Sequence, residues 1–546
     1  MPFSEKGTGA VPKGAAPFAF LGEIAYNPGM KKRSHNWIVF KPYLRGQLQL
    51  PTDLELLVPP GHVVRVVEGA IDRMDMGALL RQYRGGGASS YHPAMMLKVL
   101  VYAYSQRIYS SRQIAKGLRE NVNFMWLSGN SRPDFRTINR FRGTVMKEVV
   151  GQVFGAVLQL LLEEGYVKLE HYFLDGTKIE SKANRYQWVW AKSTKNHREK
   201  LQQKVQDLLE EIERVNAAED EEYGDEDLEE MGGGGPIDAE KLEKRIGELN
   251  ERLRAGPPDR QLAKAVRKLE GEYLPRQKKY EEQERKLGGR NSYAKTDEDA
   301  TFMRMKEDHL KNGQLKPAYN VQMGTENQFV VGYSLHQRPG DTGCLIPHLE
   351  QVKRQLGRLP TNVIGDAGYG SEANYAYLEE QQVGNYIKYS TFNRERKKGY
   401  RPGRFDASQF EYDSERDEFR CPAGRRLVYR YGEEHTTDYG YRSQRRHYES
   451  GSCRGCRWKR TCTQAAGNRM ISVSFALQEM RARARDNLES AQGQALRARR
   501  SVEVESVFGR LKHNWGFRRF RLAGLEKVKV EWGLLSIAHN LTKMAA

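Results

Sequence analysis

The sequence predicts an α/β fold in which helices cover a mixed sheet, preceded by an all-helical N-terminal region. Apolar residues recur at helical spacing from about Val63 to Thr144. After this region, strand-like apolar runs and helical segments follow in the order strand, hairpin, helix, strand, helix, strand, which is typical of a mixed sheet covered by helices. Two segments of different composition, 192–290 and 391–475, interrupt this order, and we interpret them as insertions.

The chain has 546 residues, which is too long for one ordinary core and predicts several structural units. The predicted units are an irregular N-terminal arm at 1–60, a helical domain at 61–165, an α/β core at 166–191, 291–390 and 476–546, a helical-hairpin insertion with an acidic tip at 192–290, and a Cys-rich insertion at 391–475.

An excess of basic residues favours a polyanionic partner. Lysine and arginine number 89 against 70 acidic residues, so the formal net charge is +19, and nucleic acid is the usual partner of such a chain. A basic protein without such a partner is the alternative, since charge alone does not exclude it. The absence of an apolar run of about 18 residues predicts no membrane span. Five cysteines in so long a chain indicate a reducing, cytoplasmic environment rather than a disulfide scaffold.

The N-terminal region is predicted to contain short basic helices. They open at Pro93, Ser110 and Pro133, and a longer helix over Val145–Glu164 leads into the core. Short helices joined by brief turns suit a helix-turn-helix that binds DNA, and they suit a plain helical bundle equally well. Arg112, Arg136, Arg140 and Arg142 are therefore candidate DNA contacts.

Two predicted strands each end in one aspartate. Asp175 follows the apolar run His171–Leu174, and Asp366 follows Asn362–Gly365. Carboxylate oxygens are the ligands that Mg²⁺ and Mn²⁺ prefer, so two strands that each deliver an aspartate predict a metal site. The alternative is that each aspartate caps the turn or helix after its strand.

The segment after the first aspartate is basic and aromatic, and it leads into the first insertion. Trp188 and Trp190 lie among basic residues, a pattern that suits the stacking of unpaired bases, with core packing of the two indoles as the alternative. Helical spacing over 201–212 and over Ile237–Arg254, separated by the acidic run Glu219–Glu230, is typical of an antiparallel helical hairpin with a disordered tip.

Four of the five cysteines lie in the second insertion, spaced C-x31-C-x2-C-x5-C at Cys421, Cys453, Cys456 and Cys462. Thiolates hold structural zinc in a tetrahedral site, and the C-x2-C pair has suitable spacing. The sequence therefore indicates a zinc-ribbon-like insertion. Because there is only one C-x2-C pair, reduced thiols in a small basic subdomain are the alternative.

The third acid is predicted on a C-terminal helix over Ala495–Asn514. Glu505 and Lys512 are seven residues apart, which is two turns along one face. A carboxylate and a lysine so arranged can serve a metal and a neighbouring phosphate, although such pairs usually belong to a solvated face. Glu503 lies about 200° from Glu505 around an ideal helix, so the two cannot both face the aspartates. Helical geometry alone would allow Glu503 the role of the third acid, and the alternative is a surface residue that pairs with Arg499. A last helix is predicted over Leu525–Met544.

With these features the sequence resembles the DDE transposases of bacterial insertion sequences, which have a ribonuclease-H-like catalytic core. The resemblance runs from about residue 60 to 544, and its motifs are Tyr91–Arg142, Phe173–Ser181, Asp297–Met303, Asp366–Gly370, the Cys-rich insertion, and V-E-x-x-F-G-x-x-K over Val504–Lys512. It implies that Asp175, Asp366 and Glu505 form a catalytic triad that binds Mg²⁺ or Mn²⁺. It also implies that Lys512 and Arg500 contact DNA.

One departure from the family concerns its tyrosine–arginine–glutamate–lysine signature. The tyrosine is absent here, and the arginine is displaced by one residue to Arg500, which puts the role of Arg500 in doubt but not that of the glutamate. Trp188 and the basic stretch with Arg518 and Arg519 are further candidate DNA contacts.

The resemblance implies a two-metal reaction on double-stranded DNA, with ions about 3.5–4 Å apart. Cleavage at the element ends would precede strand transfer into target DNA, within a homodimer or larger synaptic assembly. Two alternatives belong to other classes: a nuclease of the same fold that cuts without joining, and a DNA-binding protein without catalysis. Strand-transfer products separate the first from a transposase, and three acids at predicted strand and helix positions argue against the second.

Overall fold

The fold is built around a six-stranded mixed sheet whose central strand carries Asp175. The structure, a computed structural model, describes residues 53–83, 90–223, 237–256, 258–305, 313–437 and 440–546, without the side chains of 215–223. All of these residues belong to one structural unit, Asp53–Ala546. The predicted N-terminal arm, for residues 1–52, and most of the predicted acidic tip lie outside the described residues.

Eight strands belong to the α/β part of the chain: β1 His171–Glu180, β2 Trp188–Trp190, β3 Ser292–Ala294, β4 Thr301–Arg304, β5 Leu315–Glu326, β6 Phe329–His336, β7 Asn362–Gly365 and β8 Gly384–Ile387. In the six-stranded sheet, β4 and β6 both pair with β5, and the order continues β5-β1-β7-β8. The strands β2 and β3 form a separate two-stranded ribbon. The prediction of a mixed α/β fold is confirmed.

The register of the central strands decides where the two aspartates lie. β1 runs antiparallel to β5 and parallel to β7, with Phe173 opposite Ile364. Asp175 and Asp366 each lie two residues beyond that pair, so the parallel pairing brings them to neighbouring positions.

The predicted hairpin is confirmed as β5 and β6. Its two-residue turn, Asn327–Gln328, has φ values of 51° and 62°. Two successive residues with positive φ are typical of a type I′ turn, whose twist matches that of the flanking strands. Helices Leu345–Leu356 and Glu372–Glu380 flank β7, with a 3₁₀ turn before each helix at Thr342–Cys344 and Ala367–Tyr369 and a short helix at Phe392–Glu395 after β8.

The N-terminal helices are Val63–Asp72, Gly77–Leu80, Pro93–Ser105, Ser111–Glu120, Val122–Leu127 and Phe135–Glu163, after a 3₁₀ turn at Leu54–Leu57. By length and composition Phe135–Glu163 could cross a membrane, but half of its most apolar window is buried. It packs against the C-terminal helix Leu525–Met544. Apolar side chains of the N-terminal helices, the central sheet and the C-terminal helix form one continuous core, in which each buried large aliphatic side chain contributes about 1.5–3 kcal/mol.

The first insertion contains more helix than predicted. Its helices are Ala191–Tyr223, Ala239–Ala255, Arg260–Lys268 and Leu274–Leu287, the last two joined by a π-turn at Leu269–Tyr273. The prediction of a two-armed hairpin is therefore wrong, since a third arm returns to β3. Leu262, Val266, Leu269 and Tyr273 of this arm pack into a separate apolar cluster with the first two arms.

The Cys-rich insertion forms a five-stranded antiparallel sheet: β9 Glu411–Asp413, β10 Glu418–Arg420, β11 Arg426–Thr436, β12 Arg442–Ser450 and β13 Met470–Val473, with a 3₁₀ turn at Ala407–Gln409 and a short helix at Lys459–Cys462. The strands follow the order β13-β12-β11-β10-β9. A small apolar cluster that includes Phe419, Leu427 and Tyr448 holds this sheet together.

The chain ends in three helical stretches: Phe475–Glu489, residues 491–514, and Leu525–Met544. We call residues 491–514 the glutamate helix. It begins as Ala491–Arg499 and contains two π-turns, Ser501–Glu505 and Arg510–Asn514, on either side of Ser506–Gly509. A π-turn bonds residue i to i+5 and accommodates one additional residue in a helix.

Candidate active site

Asp175, Asp366 and Glu505 line one cavity of about 620 Å³. Asp175 comes from β1, Asp366 from the end of β7, and Glu505 from the glutamate helix, which packs against β1 and β5. Three carboxylates that are far apart in the sequence therefore face the same space.

Arg500 lies between two of these carboxylates. Its Nη2 is 3.1 Å from Asp175 Oδ1, and its Nη1 donates to Glu505 Oε1 at 2.6 Å. The Arg500 side chain is only 11% exposed, whereas the side chains of Asp175 and Glu505 are 22% and 48% exposed, so the contact with Glu505 is partly open to solvent. Within the π-turn, residues five apart lie on one face of the helix, which brings Arg500 and Glu505 together.

The environment of the Asp175 carboxyl strongly affects its pKa. Burial raises its pKa to about 6, against the opposing effect of the Arg500 guanidinium. Asp366 and Glu505 raise this pKa further, while the Gly176 N–H, which donates to Asp175 Oδ1 at 2.9 Å, lowers it. Crowded carboxylates of this kind attract a cation.

Asp366 also fits the alternative interpretation as a cap. Its Oδ1 accepts a hydrogen bond from the Gly368 N–H at 2.8 Å, at the start of the 3₁₀ turn Ala367–Tyr369. Capping fixes one oxygen, and the residue still lines the cavity. The two interpretations are therefore compatible at this position.

Cationic side chains line the same cavity: Lys178, Lys316, Arg500, Lys512 and Arg518. The buried Lys512 donates from Nζ to Thr177 Oγ1 at 2.9 Å. Arg518 is exposed and contacts His513 Nδ1 at 2.9 Å. These groups can bind the anionic oxygens of a phosphodiester next to the carboxylates.

Glu503 takes no part in the cavity lining. It is 5% exposed, and its Oε2 accepts from the Gln328 N–H at 2.7 Å while Oε1 accepts from Arg499 at 2.8 Å. The predicted pair between Glu503 and Arg499 is confirmed. Glu503 itself is buried, however, and does not lie at the surface as predicted. Glu503 fixes the β5–β6 turn to the glutamate helix.

The remaining predicted DNA contacts lie in different environments. Arg136 and Arg140 are exposed, and Trp188 is 42% exposed at the edge of the Phe302 ring. Arg519 is exposed, but its guanidinium donates to the backbone oxygens of Ser181 and Ala183.

Arg142 does not fit its predicted role. It is 3% exposed, and its guanidinium donates to the Tyr109 backbone oxygen at 2.7 Å and to the side chains of Tyr104, Ser111 and Asn139 at 3.3 Å. A guanidinium enclosed in this way ties helices of the N-terminal region together and is not accessible to DNA.

The donor chemistry of the cavity suits a hard divalent cation, because carboxylate oxygens are what Mg²⁺ and Mn²⁺ prefer. Within the described ranges, however, no three side chains of the types His, Cys, Asp and Glu form an assembled metal cluster. A physical reason is that the Arg500 guanidinium occupies the space between the Asp175 and Glu505 carboxylates, where a shared cation would otherwise lie.

The four cysteines of the second insertion, Cys421, Cys453, Cys456 and Cys462, line one small cavity together. None of them forms a disulfide, and the fifth cysteine, Cys344, is buried elsewhere. The backbone N–H of Arg469 contacts Cys453 Sγ at 3.3 Å. The distant Cys421 thus joins the three cysteines that are close in sequence.

Sequence reasoning missed several residues that line this cavity, above all Asp341. Asp341 lies five residues beyond the end of β6, directly before the 3₁₀ turn Thr342–Cys344, whereas Asp366 directly follows β7. The polar segment 337–340 separates Asp341 from its strand, and an Asp–Thr–Gly sequence is an ordinary turn.

Two family models match the chain. A model described as a transposase domain (DUF772) matches residues 52–144, and one described as a transposase DDE domain matches residues 420–545. The second range contains Glu505, Arg500, Lys512 and the four clustered cysteines, whereas Asp175 and Asp366 lie outside both ranges. No curated protein matches the chain.

Proposed function

We propose that this chain cuts and joins DNA, on the premise that it is a transposase of the DDE, insertion-sequence type. It has a transposase domain on its N-terminal side and a DDE domain on its C-terminal side. The proposed reaction is metal-dependent phosphodiester hydrolysis at the ends of a mobile element, followed by strand transfer into double-stranded target DNA. The single observation that carries this proposal is the convergence of Asp175, Asp366 and Glu505 on one cavity that also contains cationic side chains.

A ribonuclease-H-like core is part of the proposal. The strand order β6-β5-β1-β7-β8 supports it, with β1 antiparallel to β5 and parallel to β7. So does the placement of one aspartate on β1, one at the end of β7 and a glutamate on a following helix. We propose the domain boundaries predicted from the sequence, with the third helical arm included in the 192–290 insertion.

The protein's own residues have distinct tasks in this reaction. Arg500 orients Asp175 and Glu505 towards each other. Lys512, held at Thr177, and Arg518 at the cavity wall bind phosphate oxygens and keep the scissile bond beside the carboxylates. Binding of a phosphodiester next to three carboxylates is unfavourable unless cationic groups lie between them and neutralise the repulsion.

Asp175, Asp366 and Glu505 are the residues that would hold Mg²⁺ or Mn²⁺. When bound, the metal would activate the attacking water or 3′-hydroxyl and stabilise the leaving oxygen. For a cation to enter, the guanidinium of Arg500 has to release at least one carboxylate, after which it is available to the DNA backbone.

DNA is the proposed partner, with no membrane association, in the cytoplasm. The net charge of +19 supports this, as do the exposed Arg136 and Arg140 on one short helix. Because a transposase holds two element ends at once, we propose that it works as a homodimer or larger synaptic complex.

The deciding experiment uses the full chain with duplex DNA taken from the sequence on either side of the gene, searched first for inverted repeats that would mark the element ends. Wild type should give cleavage and joined products in Mg²⁺, whereas Asp175→Asn and Asp366→Asn should give neither and still bind the DNA. Normal cleavage by either variant would contradict the assignment. Cleavage without joined products would indicate a nuclease of the same fold, and binding without cleavage a DNA-binding relative.

A structural zinc ion in the Cys-rich insertion is a separate proposal. Its support is the convergence of Cys421, Cys453, Cys456 and Cys462 on one small cavity. Four thiolates are a donor set that fits tetrahedral zinc. Cys421 directly follows β10, and the other three cysteines follow β12. A bound ion would therefore link the end of β10 to the segment after β12.

A further inference from the structure

A fourth carboxylate, that of Asp341, lines the same cavity as the three acids. It lies between β6 and the 3₁₀ turn Thr342–Cys344 and makes no capping hydrogen bond to that turn. The Thr342 hydroxyl donates to the Gly368 backbone oxygen at 2.7 Å. The Asp341 segment is thereby fixed to the loop that carries Asp366.

Buried amides hold one oxygen of this carboxylate. Asp341 Oδ1 accepts from Asn320 Nδ2 at 2.7 Å and from Gln322 Nε2 at 3.0 Å. Both amides are 0% exposed on β5, and Gln322 in turn accepts from the Tyr369 hydroxyl. A completely buried polar network of this kind fixes the orientation of the group it serves.

The backbone leaves room for Asp341 beside both catalytic aspartates. A Cβ on Gly176, the residue after Asp175, would lie 2.6 Å from Asp341 Oδ1, so only glycine permits this approach. A Cβ on Gly368 would lie 2.9 Å from Asp366 Oδ1 and 3.6 Å from Asp341 Oδ2. One oxygen of Asp341 therefore faces the Asp175 strand, and the other faces the Asp366 loop.

A purely structural role does not account for the charge. The two amides could donate equally well to a neutral oxygen, as in asparagine, whereas a fourth carboxylate near three others adds repulsion. That cost is offset when a divalent cation binds, since hard cations take several carboxylate oxygens.

We propose that Asp341 is a fourth carboxylate ligand of the divalent cation at this cavity, with Oδ1 anchored by Asn320 and Gln322 and Oδ2 directed to the ion. The inference rests on the proposed function, because it assumes that Asp175, Asp366 and Glu505 hold the same ion. It adds a ligand that the triad does not contain, and it gives Gly176 a role as the position that admits it.

Asp341→Asn is the sharpest variant, because its side-chain oxygen can still accept from both amides while the charge is lost. Mn²⁺ binding to the full chain, measured by electron paramagnetic resonance without DNA, should weaken about tenfold or more. The unfolding midpoint without metal should not fall, because the substitution removes carboxylate repulsion and keeps both amide hydrogen bonds. Glu180→Gln is the matched control: Glu180 lines the same cavity but pairs with Lys316 at 3.5 Å and Arg519 at 3.6 Å, and its loss should leave Mn²⁺ affinity nearly unchanged.

Equal Mn²⁺ affinity of Asp341→Asn and wild type, with binding lost in Asp175→Asn, would overturn the proposal and leave the proposed function intact. A wild type that binds no Mn²⁺ would instead refute the metal site as a whole. If Asp341→Asn does not fold, carbodiimide labelling of the wild-type chain decides. Mg²⁺ should then protect Asp341 and Asp175 but not Glu180, and equal labelling of Asp341 with and without Mg²⁺ would refute the ligand.

Discussion

Arg500 pairs with Glu505, five residues further along the same helix, at 2.6 Å. In a regular α-helix, residues five apart point in directions about 140° apart. The π-turn Ser501–Glu505 contains one additional residue and restores the alignment. The π-turn therefore offsets the displacement of the arginine in the family signature. It accommodates the extra residue, so the Arg500 guanidinium still reaches the Glu505 carboxylate.

Deletion of Val502 should therefore be tolerated. Val502 is 58% exposed within the π-turn, and its removal allows an ordinary α-turn with Arg500 four residues before Glu505. We expect DNA cleavage to be largely retained, and far-ultraviolet circular dichroism to show unchanged helix content. Deletion of the exposed Ser506 is the control. This deletion shortens the spacing between Glu505 and Lys512, so one of these two side chains turns away from the cavity. Cleavage should therefore be abolished. Equal loss in both deletions would show that the π-turn is itself required.

Glu505→Gln and Glu503→Gln should have opposite effects. Glu505 lines the cavity, so Glu505→Gln should eliminate cleavage with little change in unfolding free energy. Glu503 is buried and accepts from Gln328 and Arg499, so Glu503→Gln should retain cleavage but lose about 1–3 kcal/mol of stability. Single-turnover cleavage and urea unfolding measure the two quantities. Cleavage that is retained in Glu505→Gln and lost in Glu503→Gln would reverse the assignment.

The parts of this site that follow local rules could be predicted from the sequence. Apolar runs that end in Asp175 and Asp366 indicate strands, although β1 continues past Asp175 to Glu180, and the spacing of Glu505 and Lys512 suits one face of a helix. The register that aligns Phe173 with Ile364 depends on pairing between distant segments, which periodicity does not encode.

Other features were hidden because local sequence suggests something simpler. Helix propensity gives α-helical spacing and not a π-turn, so the contact between Arg500 and Glu505 could not be foreseen. Gly256 and Pro258 look like the end of the first insertion's helices, although a further arm follows. Arg142 resembled the exposed Arg140 because the two differ only in the face of the helix on which they lie.

Stability should fall as the pH drops below about 6.5, because of His348 and His336. Burial lowers the pKa of His348 to about 3 and that of His336 to about 4. Both rings stay neutral in the folded chain, where His348 bonds to Tyr172 and Ser334 at 2.7 and 2.8 Å. The unfolded chain takes up these protons near pH 6.5, so each group removes up to about 1.4 kcal/mol per pH unit below that value. Urea unfolding from pH 7 to 4 measures the slope. His348→Gln should make the slope shallower without removing it, because His336 and the buried His539, whose pKa is also lowered to about 4, still contribute. His435→Gln, on the exposed part of β11, should leave the slope as in wild type, and an unchanged slope in His348→Gln would contradict the assignment.

The zinc proposal predicts about one zinc ion per chain in protein purified without chelator. Cys453→Ser combined with Cys456→Ser should remove the ion and lower the melting temperature, because the small sheet β9–β13 has only a minor apolar cluster of its own. Cys344→Ser changes a buried thiol outside the cluster and should keep the zinc. Elemental analysis provides the measurement, and a zinc-free wild type that is fully folded would leave the four cysteines as reduced thiols.

Arg140 and Arg142, two residues apart, should separate DNA binding from stability. Arg140 is exposed, so Arg140→Ala should weaken binding to element ends and reduce the slope of log affinity against log salt by about one, with an unchanged fold. Arg142 is enclosed by Tyr104, Tyr109, Ser111 and Asn139, so Arg142→Ala should cost about 3 kcal/mol or more of unfolding free energy. Because its guanidinium does not reach the surface, the salt slope of the folded Arg142→Ala fraction should equal that of wild type. A reduced slope in Arg142→Ala would mean that the N-terminal helices rearrange on DNA and expose this side chain.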